Sequence, residues 1–142
     1  MKEPMTSTAI LDLETLKTID IYLEHFYPQS IDAGQRMADA GLGTSQIRGL
    51  ETLITSTTRF SEIINYIKNQ AGKERKEKKW IKVAPLLLEQ LTTLEVKAHD
   101  VGQEAPNKVL EIKLRLARGW AKQVITHYLY RASLRTKGDD HP

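Results

Sequence analysis

The sequence has no cysteine among its 142 residues, which excludes a disulfide scaffold, a thiolate metal site and a cysteine nucleophile. No apolar run approaches the roughly 18 residues needed to span a membrane. The segment Met1–Thr8 lacks the apolar region of a secretory signal, so we expect a cytoplasmic protein. Hydrophobic residues at 40% and charged residues at 27% are typical of one globular domain with its own core.

Strand patterns are also missing, because Val, Ile and Thr never alternate with polar residues over a full strand length. No internal repeat occurs. Apolar residues instead recur at three- and four-residue steps, as they do in amphipathic helices. The prediction is an all-α fold. It consists of a single bundle of about five helices over residues 9–136, with a long C-terminal helix and disordered segments at 1–8 and 137–142.

Proline and capping residues set the predicted helix ends in the first third of the chain. The first helix begins near Ile10 and is expected to end at Pro28, because a proline pushes the preceding residue out of the α region. Ser30 would cap a short second helix over residues 31–40. That helix is expected to stop at Gly41, since glycine readily adopts the conformation that follows a helix.

Two further helices are predicted before the last one. Thr44 would cap a third helix that runs to about Ala71, although its Thr-rich middle has poor helix propensity and needs support from packing. A fourth helix covers residues 80–101, with Pro85 either in its first turn or at a kink. Pro106 fits the first position of the last helix.

The last helix is predicted over about residues 107–135 and is apolar on two sides. Such a helix packs against neighbours on both sides, or leaves one face for another subunit. Its aromatic side chains Trp120, Tyr128 and Tyr130 fall on the apolar faces. They are therefore expected in the core rather than as platforms on which nucleic-acid bases stack.

Catalytic signatures are absent from the sequence. The histidines have no metal-ligand spacing, and the carboxylates are scattered along the chain. The segment Gly41–Gly43 lacks the Gly-Lys-Ser/Thr ending of a phosphate-binding loop, so a tight turn between helices is favoured there. His127 lies on an apolar face and is expected to be a core or interface residue. We predict a protein that is not an enzyme and has no catalytic residues, metal or cofactor.

The net charge of +3 conceals an asymmetry along the chain. Residues 1–71 hold six basic and nine acidic residues, whereas residues 72–142 hold fifteen basic and nine acidic ones. Between Lys108 and Lys137, eight basic residues accompany one acidic residue, Glu111. A basic half favours a polyanionic partner, but a solvated helical surface accounts for it equally well before any motif is considered.

Basic residues of the last helix fall on two opposite sides, and Lys113, Arg131 and Arg135 share one of them because 18 residues make five whole turns. The other side carries Arg115, Arg118 and Lys122 at three- and four-residue steps, with Glu111 placed to pair with Arg115. The run from Lys73 to Lys79 adds a cationic segment, either a helical extension or a mobile loop, that could follow a phosphate backbone. The candidate RNA-binding residues of these segments are Arg75, Lys76, Lys78, Lys79, Lys113, Arg115, Arg118, Lys122, Arg131 and Arg135.

The segment Thr44-Ser45-Gln46-Ile47-Arg48 resembles a Thr-x-Gln-Ile-Arg motif at the start of a helix in a known family. That family is the small subunit of type III CRISPR effector complexes, the Csm-type member of the Cas small-subunit superfamily. There too the motif follows a short helix and precedes a long one. The similarity extends over about residues 30–135 and implies that Arg48, which matches the motif arginine, contacts RNA.

The resemblance also implies a function in antiviral defence. Such small subunits are non-catalytic, stack head to tail in several copies, and hold the guide RNA–target RNA duplex through its backbone. The implied partners are guide RNA, single-stranded target RNA, other Cas subunits and further copies of this chain, without a membrane. An alternative stays open, namely a helical protein-interaction or adaptor bundle with no nucleic-acid role. A hydrolytic or metal-dependent enzyme would require a cluster of carboxylates or histidines in a pocket.

Overall fold

The computed structural model describes residues 10–103 and 105–139. Within those ranges the fold is all-α, without strands, and the predicted bundle of five helices with a long C-terminal helix is confirmed. The five helices, in chain order, are α1 (Leu13–Asp39), α2 (Thr44–Ser56), α3 (Phe60–Gly72), α4 (Lys79–Gly102) and α5 (Pro106–Asp139). None of the described helices is long and apolar enough to cross a membrane.

Helix α5 is the central element and contacts all four other helices. Its closest partner is α1, which runs parallel to it. Leu23 of α1 lies against Gly119, and Asp39 at the end of α1 reaches Arg131 near the end of α5. Helix α4 runs antiparallel to α5, because its last residue, Gly102, lies against Val109 near the beginning of α5. Both sides of α5 are therefore covered, as its two apolar faces predicted.

A buried polar relay ties three helices together in the core. The indole nitrogen of Trp120 donates a hydrogen bond to the Gln90 side-chain oxygen at 2.8 Å. The Gln90 side-chain nitrogen donates in turn to the backbone oxygen of Gln29 at 2.9 Å. Trp120 is fully buried, so these bonds satisfy polar groups that would otherwise be costly to remove from water. The relay fixes the rotation of α5 relative to α1 and α4.

The structure contradicts the predicted helix end at Pro28. Helix α1 continues through it to Asp39, and Ser30 is a buried interior residue whose hydroxyl donates to the Phe26 carbonyl, not an N-cap. Pro28 removes one backbone hydrogen bond. The following turns remain helical because Ala33 and Met37 are completely buried in the core. Tertiary packing therefore outweighs the local preference of proline.

The predicted end at Gly41 is confirmed, since α1 ends at Asp39 and Gly41 has a φ of 83°. The backbone nitrogens of Gly41 and Leu42 donate back into the last turn, to Ala38 and Met37. A left-handed residue closes the helix in this way, and glycine adopts that conformation without steric cost. The N-cap of α2 is Gly43 instead of the predicted Thr44, which is the first helical residue.

The predicted third helix is divided in two at Thr57–Arg59. The Thr57 hydroxyl oxygen accepts a hydrogen bond from the Arg59 backbone nitrogen at 3.0 Å, and the hydroxyl donates to the Glu62 carboxylate. A threonine side chain that bonds to nearby backbone offers the chain an alternative to the helical ladder. The total of five helices therefore agrees with the prediction although the division of the chain differs.

The remaining ends agree more closely with the sequence. Residues 73–78 form a loop, and the Glu74 carboxylate caps α4 by accepting hydrogen bonds from the backbone nitrogens of Trp80 and Ile81. Pro85 is the seventh residue of α4, which excludes the first turn. Helix α5 begins at Pro106 as predicted and extends to Asp139, beyond the expected end near residue 135. The predicted disordered segment 1–8 and residues 140–142 of the predicted segment 137–142 lie outside the described residues, whereas residues 137–139 are helical and not disordered as predicted.

Gly34 provides a test of the contact between α1 and α5. A Cβ atom there would lie 2.3 Å from the Val124 backbone oxygen, whereas one at Gly72 would meet nothing within 4 Å. Alanine normally stabilises a helix relative to glycine. We expect Gly34→Ala instead to lower the free energy of unfolding by about 1–3 kcal/mol, because backbone must shift to accommodate it. Chemical denaturation measures the change, with Gly72→Ala as the control. Equal stability of the two variants would contradict the close contact.

Candidate nucleic-acid interface

Five of the eleven predicted RNA-binding residues form ion pairs within the chain. A cation whose charge is matched by a neighbouring carboxylate is a weaker ligand for phosphate than an unmatched one, because the pair must first be broken. These five residues are Arg48, Lys79, Lys113, Arg131 and Arg135.

Arg131 and Arg135 fix the end of α5 to the end of α1. Arg131 donates to both oxygens of the Asp39 carboxylate, at 3.1 and 3.3 Å. Arg135 donates to the backbone oxygen of Ala38 at 3.1 Å and to Asp39 at 3.3 Å. Lys113, five turns before Arg131 on the same side of α5, lies about 27 Å from it along the helix axis and pairs with α4 instead of α1.

Lys113 is the most enclosed of the predicted contacts. Its ammonium group is 2.8 Å from the Glu95 carboxylate and 5.6 Å from the centre of the Phe60 ring. Its side chain is 17% exposed. The lysine therefore joins α5 to α4 and α3, and its geometry is that of a packing residue.

The residues of the Thr44–Arg48 motif have clear structural roles except at its end. The Gln46 side-chain oxygen accepts hydrogen bonds from the Gly43 backbone nitrogen and from the Trp80 indole nitrogen. Ile47 is completely buried. Arg48 is exposed and pairs with Glu51 at 2.8 Å on the same face of α2. The motif therefore builds the junction between α2 and α4, and Arg48 remains at the surface.

The basic run before α4 is a loop, which was one of its two predicted forms. Lys79 pairs with Glu77 at 2.8 Å, and the hydrogen bond from this pair raises the pKa of Lys79. Within the described part of the chain, Arg75, Lys76 and Lys78 are exposed and have no ion-pair partner. Together with Lys73, the loop thus presents four exposed cations at the end of the bundle where α4 begins.

The other three predicted RNA-binding residues without an ion pair among the described residues lie along a surface channel between the parallel helices α1 and α5. We call it the α1–α5 groove; it is bounded by Leu16–Tyr27 of α1 and Arg115–His127 of α5. Two adjoining cavities of about 380 and 300 Å³ form it, and they share the contact of Leu23 with Gly119. The bounding segment of α5 is about 18 Å long.

Arg115, Arg118 and Lys122 line this groove, so the predicted side of α5 is indeed one surface. None of the described carboxylates lies within ion-pairing distance of the three. Glu111 is buried and does not pair with Arg115, in contrast to the pairing considered from the sequence. Asp20 is the one carboxylate among the described residues that line the groove. The groove therefore has a positive balance of charge.

Two buried polar atoms of the groove lack a hydrogen-bond partner among the described residues. They are Nε of Arg118 and the side-chain oxygen of Gln123. The Arg118 guanidinium is oriented by a hydrogen bond from Nη2 to the Thr57 backbone oxygen at 3.4 Å. An unsatisfied buried polar group costs about 1–3 kcal/mol. Both atoms are shielded from solvent, so a ligand with an acceptor and a donor group reaches them only when the two side chains rotate towards the groove.

Tyr27 and His127 close one end of the groove and were missed by the sequence analysis. The Tyr27 hydroxyl and Nε2 of His127 are 2.8 Å apart and form a hydrogen bond. Because the first helix was predicted to end at Pro28, Tyr27 was expected to be its last residue. Nothing in the sequence indicated that Tyr27 faces α5. Of the aromatic residues considered there, Trp120 and Tyr128 are buried as expected, but Tyr130 is 63% exposed.

No group of three or more His, Asp or Glu residues within the described ranges is placed to hold a metal ion. The described surface offers unmatched cations in the groove and the partly exposed ring of Tyr27 at its end.

Asp39 allows the ion pairs at the helix ends to be tested by pH. The hydrogen bond from Arg131 holds the pKa of this carboxyl below its ordinary value of 3.8. A lowered folded-state pKa means that ionised Asp39 stabilises the fold above pH 3.8, and that this contribution is lost as the pH falls through the lowered pKa.

We therefore expect Asp39→Asn to lower the free energy of unfolding near pH 7 by about 0.5–1 kcal/mol, because the pairs are partly exposed. The difference from the parent chain should vanish in acid. Denaturant titrations at a series of pH values measure it, with Asp20→Asn as the control because that carboxylate has no ion pair in the described structure. A difference that persists unchanged at low pH would contradict the role of the charge.

Comparison of the chain with models of known protein families, with curated proteins and with solved structures finds no match in any of the three.

Proposed function

We propose that the protein is a non-catalytic RNA-binding small subunit of a type III CRISPR ribonucleoprotein that acts in antiviral defence in the cytoplasm. The observation that carries RNA binding is the line of Arg115, Arg118 and Lys122 in the α1–α5 groove, unmatched by described carboxylates. The resemblance at Thr44–Arg48 is the basis for this choice of complex, although the motif follows the 27-residue α1 and begins the 13-residue α2, the reverse of the expected short and long helices.

The spacing of the groove cations suits the backbone of a nucleic acid. Arg115 and Lys122 are seven residues apart on α5, which is about 10 Å along the helix axis. Successive phosphates of one stacked strand rise by about 3.4 Å, so three cations over this distance can contact about three phosphates. Such contacts bind the backbone without reading sequence, and guide–target pairing would supply the specificity.

The distribution of ion pairs favours the groove over the rest of α5 as the place of binding. Arg131 and Arg135 share the Asp39 carboxylate, and Lys113 is matched by Glu95. Among the predicted contacts on α5, the unmatched positive charge therefore lies between residues 115 and 122, and Lys108 near the beginning of the helix is a further exposed cation without an ion pair among the described residues. The exposed loop cations Arg75, Lys76 and Lys78 provide a second contact for the same or another strand.

The proposed partners are guide RNA, single-stranded target RNA, other Cas subunits and further copies of the chain arranged head to tail. Exposed apolar side chains at the two ends of α5 support self-association. Leu110 near the beginning of α5 is 41% exposed, whereas Tyr130 and Leu134 near its end are 63% and 46% exposed. A contact between unlike ends of successive copies propagates into a filament.

The groove is tested by the dependence of RNA binding on salt. We expect Arg115→Gln/Arg118→Gln/Lys122→Gln to weaken binding of a single-stranded oligoribonucleotide and to flatten the plot of log K against log salt by about 2, since three phosphate contacts are lost. Because Arg118 is partly buried, the double variant Arg115→Gln/Lys122→Gln is measured as well and should flatten the slope by about 1.4. Fluorescence anisotropy at several salt concentrations measures both.

The matched control removes three positive charges elsewhere. The variant Arg36→Gln/Arg59→Gln/Lys97→Gln changes residues that each pair with a carboxylate three or four positions along the chain. It should leave the slope nearly unchanged. If groove and control variants lose affinity and slope equally, the effect is one of net charge and the groove is not the site. If the parent chain binds no RNA at low salt, the proposal fails.

The exposed apolar residues also favour the alternative, a protein-interaction or adaptor bundle with no nucleic-acid role. Under that alternative the chain self-associates but does not bind RNA. We expect Tyr130→Ser/Leu134→Ser to shift the sedimentation distribution of the parent chain towards the monomer without changing the salt slope of RNA binding. Self-association that persists in this variant would exclude the end of α5 as the contact, and self-association without RNA binding would favour the adaptor.

A further inference from the structure

We propose that Tyr27 and His127 form a platform on which one unpaired RNA base stacks at the end of the α1–α5 groove. This rests on the proposed function, since it specifies the form of RNA that the groove accepts. The platform's two residues belong to α1 and α5 and are 100 positions apart in the chain. Neither of them is one of the groove cations Arg115, Arg118 and Lys122.

The geometry of the two rings suits a rigid binding surface. The ring centres are 5.4 Å apart at an interplanar angle of 68°, so the rings meet edge to face. The hydrogen bond between the Tyr27 hydroxyl and His127 Nε2 holds the tyrosine in this orientation. A side chain that is already held in its binding orientation loses less conformational entropy when a ligand arrives.

The platform opens onto a cavity of about 300 Å³ that belongs to the groove. Tyr27 is 37% exposed although it contacts His127, so part of its ring faces this space. Leu23 and Gly119 form the apolar floor beside it. Aromatic side chains at the end of a cationic groove are typical of surfaces that bind single strands, because every base has a face that can stack.

Gln123 explains why the base would be unpaired. Gln123 lines the same cavity, and its side-chain oxygen, which is shielded from solvent, has no hydrogen-bond partner among the described residues. Once the side chain rotates to expose it, the oxygen can accept a hydrogen bond from an N–H group on the Watson–Crick edge of a base. That edge is occupied in a duplex and is available in a single strand, where proteins commonly contact it. The platform and this acceptor together select a nucleotide that has left the base-paired stack.

Lys122 places a phosphate contact beside the platform. It lines the same cavity and precedes His127 by five residues, about 7.5 Å along α5. The lysine is exposed, and the described residues hold no carboxylate partner for it. One nucleotide can therefore place its base on Tyr27 and its phosphate at Lys122.

The test uses a ten-nucleotide oligouridylate with one central 2-aminopurine, whose fluorescence falls when the base stacks on an aromatic ring. Tyr27→Leu removes the ring and should weaken binding by about 5- to 10-fold, abolish the fluorescence decrease and leave the salt slope unchanged. Tyr27→Phe keeps the ring and should keep most of both effects. The matched control is His25→Leu, which removes an exposed aromatic ring of α1 that lines neither cavity of the groove and should change neither signal.

The outcomes separate this inference from the proposed function. If the parent chain binds the oligonucleotide with a salt slope that depends on Arg115 and Lys122, but Tyr27→Leu binds equally well and retains the fluorescence decrease, the platform is excluded while RNA binding stands. Equal effects of Tyr27→Leu on single-stranded RNA and on a blunt duplex would also overturn the inference. Absence of RNA binding by the parent chain overturns both proposals.

Discussion

The close contact of α1 with α5 determines most of what is distinctive in this protein. At Gly34 the two helices approach until a single methyl group would collide with the Val124 backbone oxygen. Burial of the side chains that follow Pro28 holds α1 helical through that residue, and the continuous helix then places Tyr27 beside His127 and Asp39 beside Arg131. The groove, its aromatic end and the ion pairs of Asp39 beyond it are all consequences of one parallel packing of two long helices.

The rotation of α5 about its own axis decides which cations are available to a ligand. Trp120 and Gln90 fix that rotation, because the relay that joins them to α1 is buried and would leave unsatisfied polar atoms if α5 turned. With this rotation, Arg115 and Lys122 face the groove, and Lys113 faces Glu95. A polar contact in the core thus controls the chemistry of the surface.

Local patterns in the sequence were sufficient for features that depend on neighbouring residues. The all-α class follows from helical periodicity, the helix end at Gly41 from the freedom of glycine, and the cationic side of α5 from three- and four-residue spacing. Prediction failed where distant residues decide the outcome. Packing keeps α1 helical through Pro28, where local preference predicts a helix end. The Asp39 carboxylate that neutralises Arg131 lies 92 residues away in the chain. Tyr27 and Gln123 become candidate binding residues only because α1 and α5 together form the groove. No single segment of the sequence indicates that groove.

Cations that hold the fold and cations that are offered to a ligand are separated along one helix. The paired residues of α5 lie near its two ends, where Glu95 and Asp39 are supplied by α4 and α1. Apart from Lys108 near the beginning of the helix, the unmatched residues whose side chains are described lie between them, where the adjoining part of α1 presents mainly Leu16, Leu23 and Tyr27 to the groove. Partly exposed ion pairs contribute little to stability, so their larger effect is to remove charge from the ends of α5. The small net charge of the chain is therefore compatible with a strong local field, because neutralisation at the ends leaves the groove as the place where a polyanion is attracted.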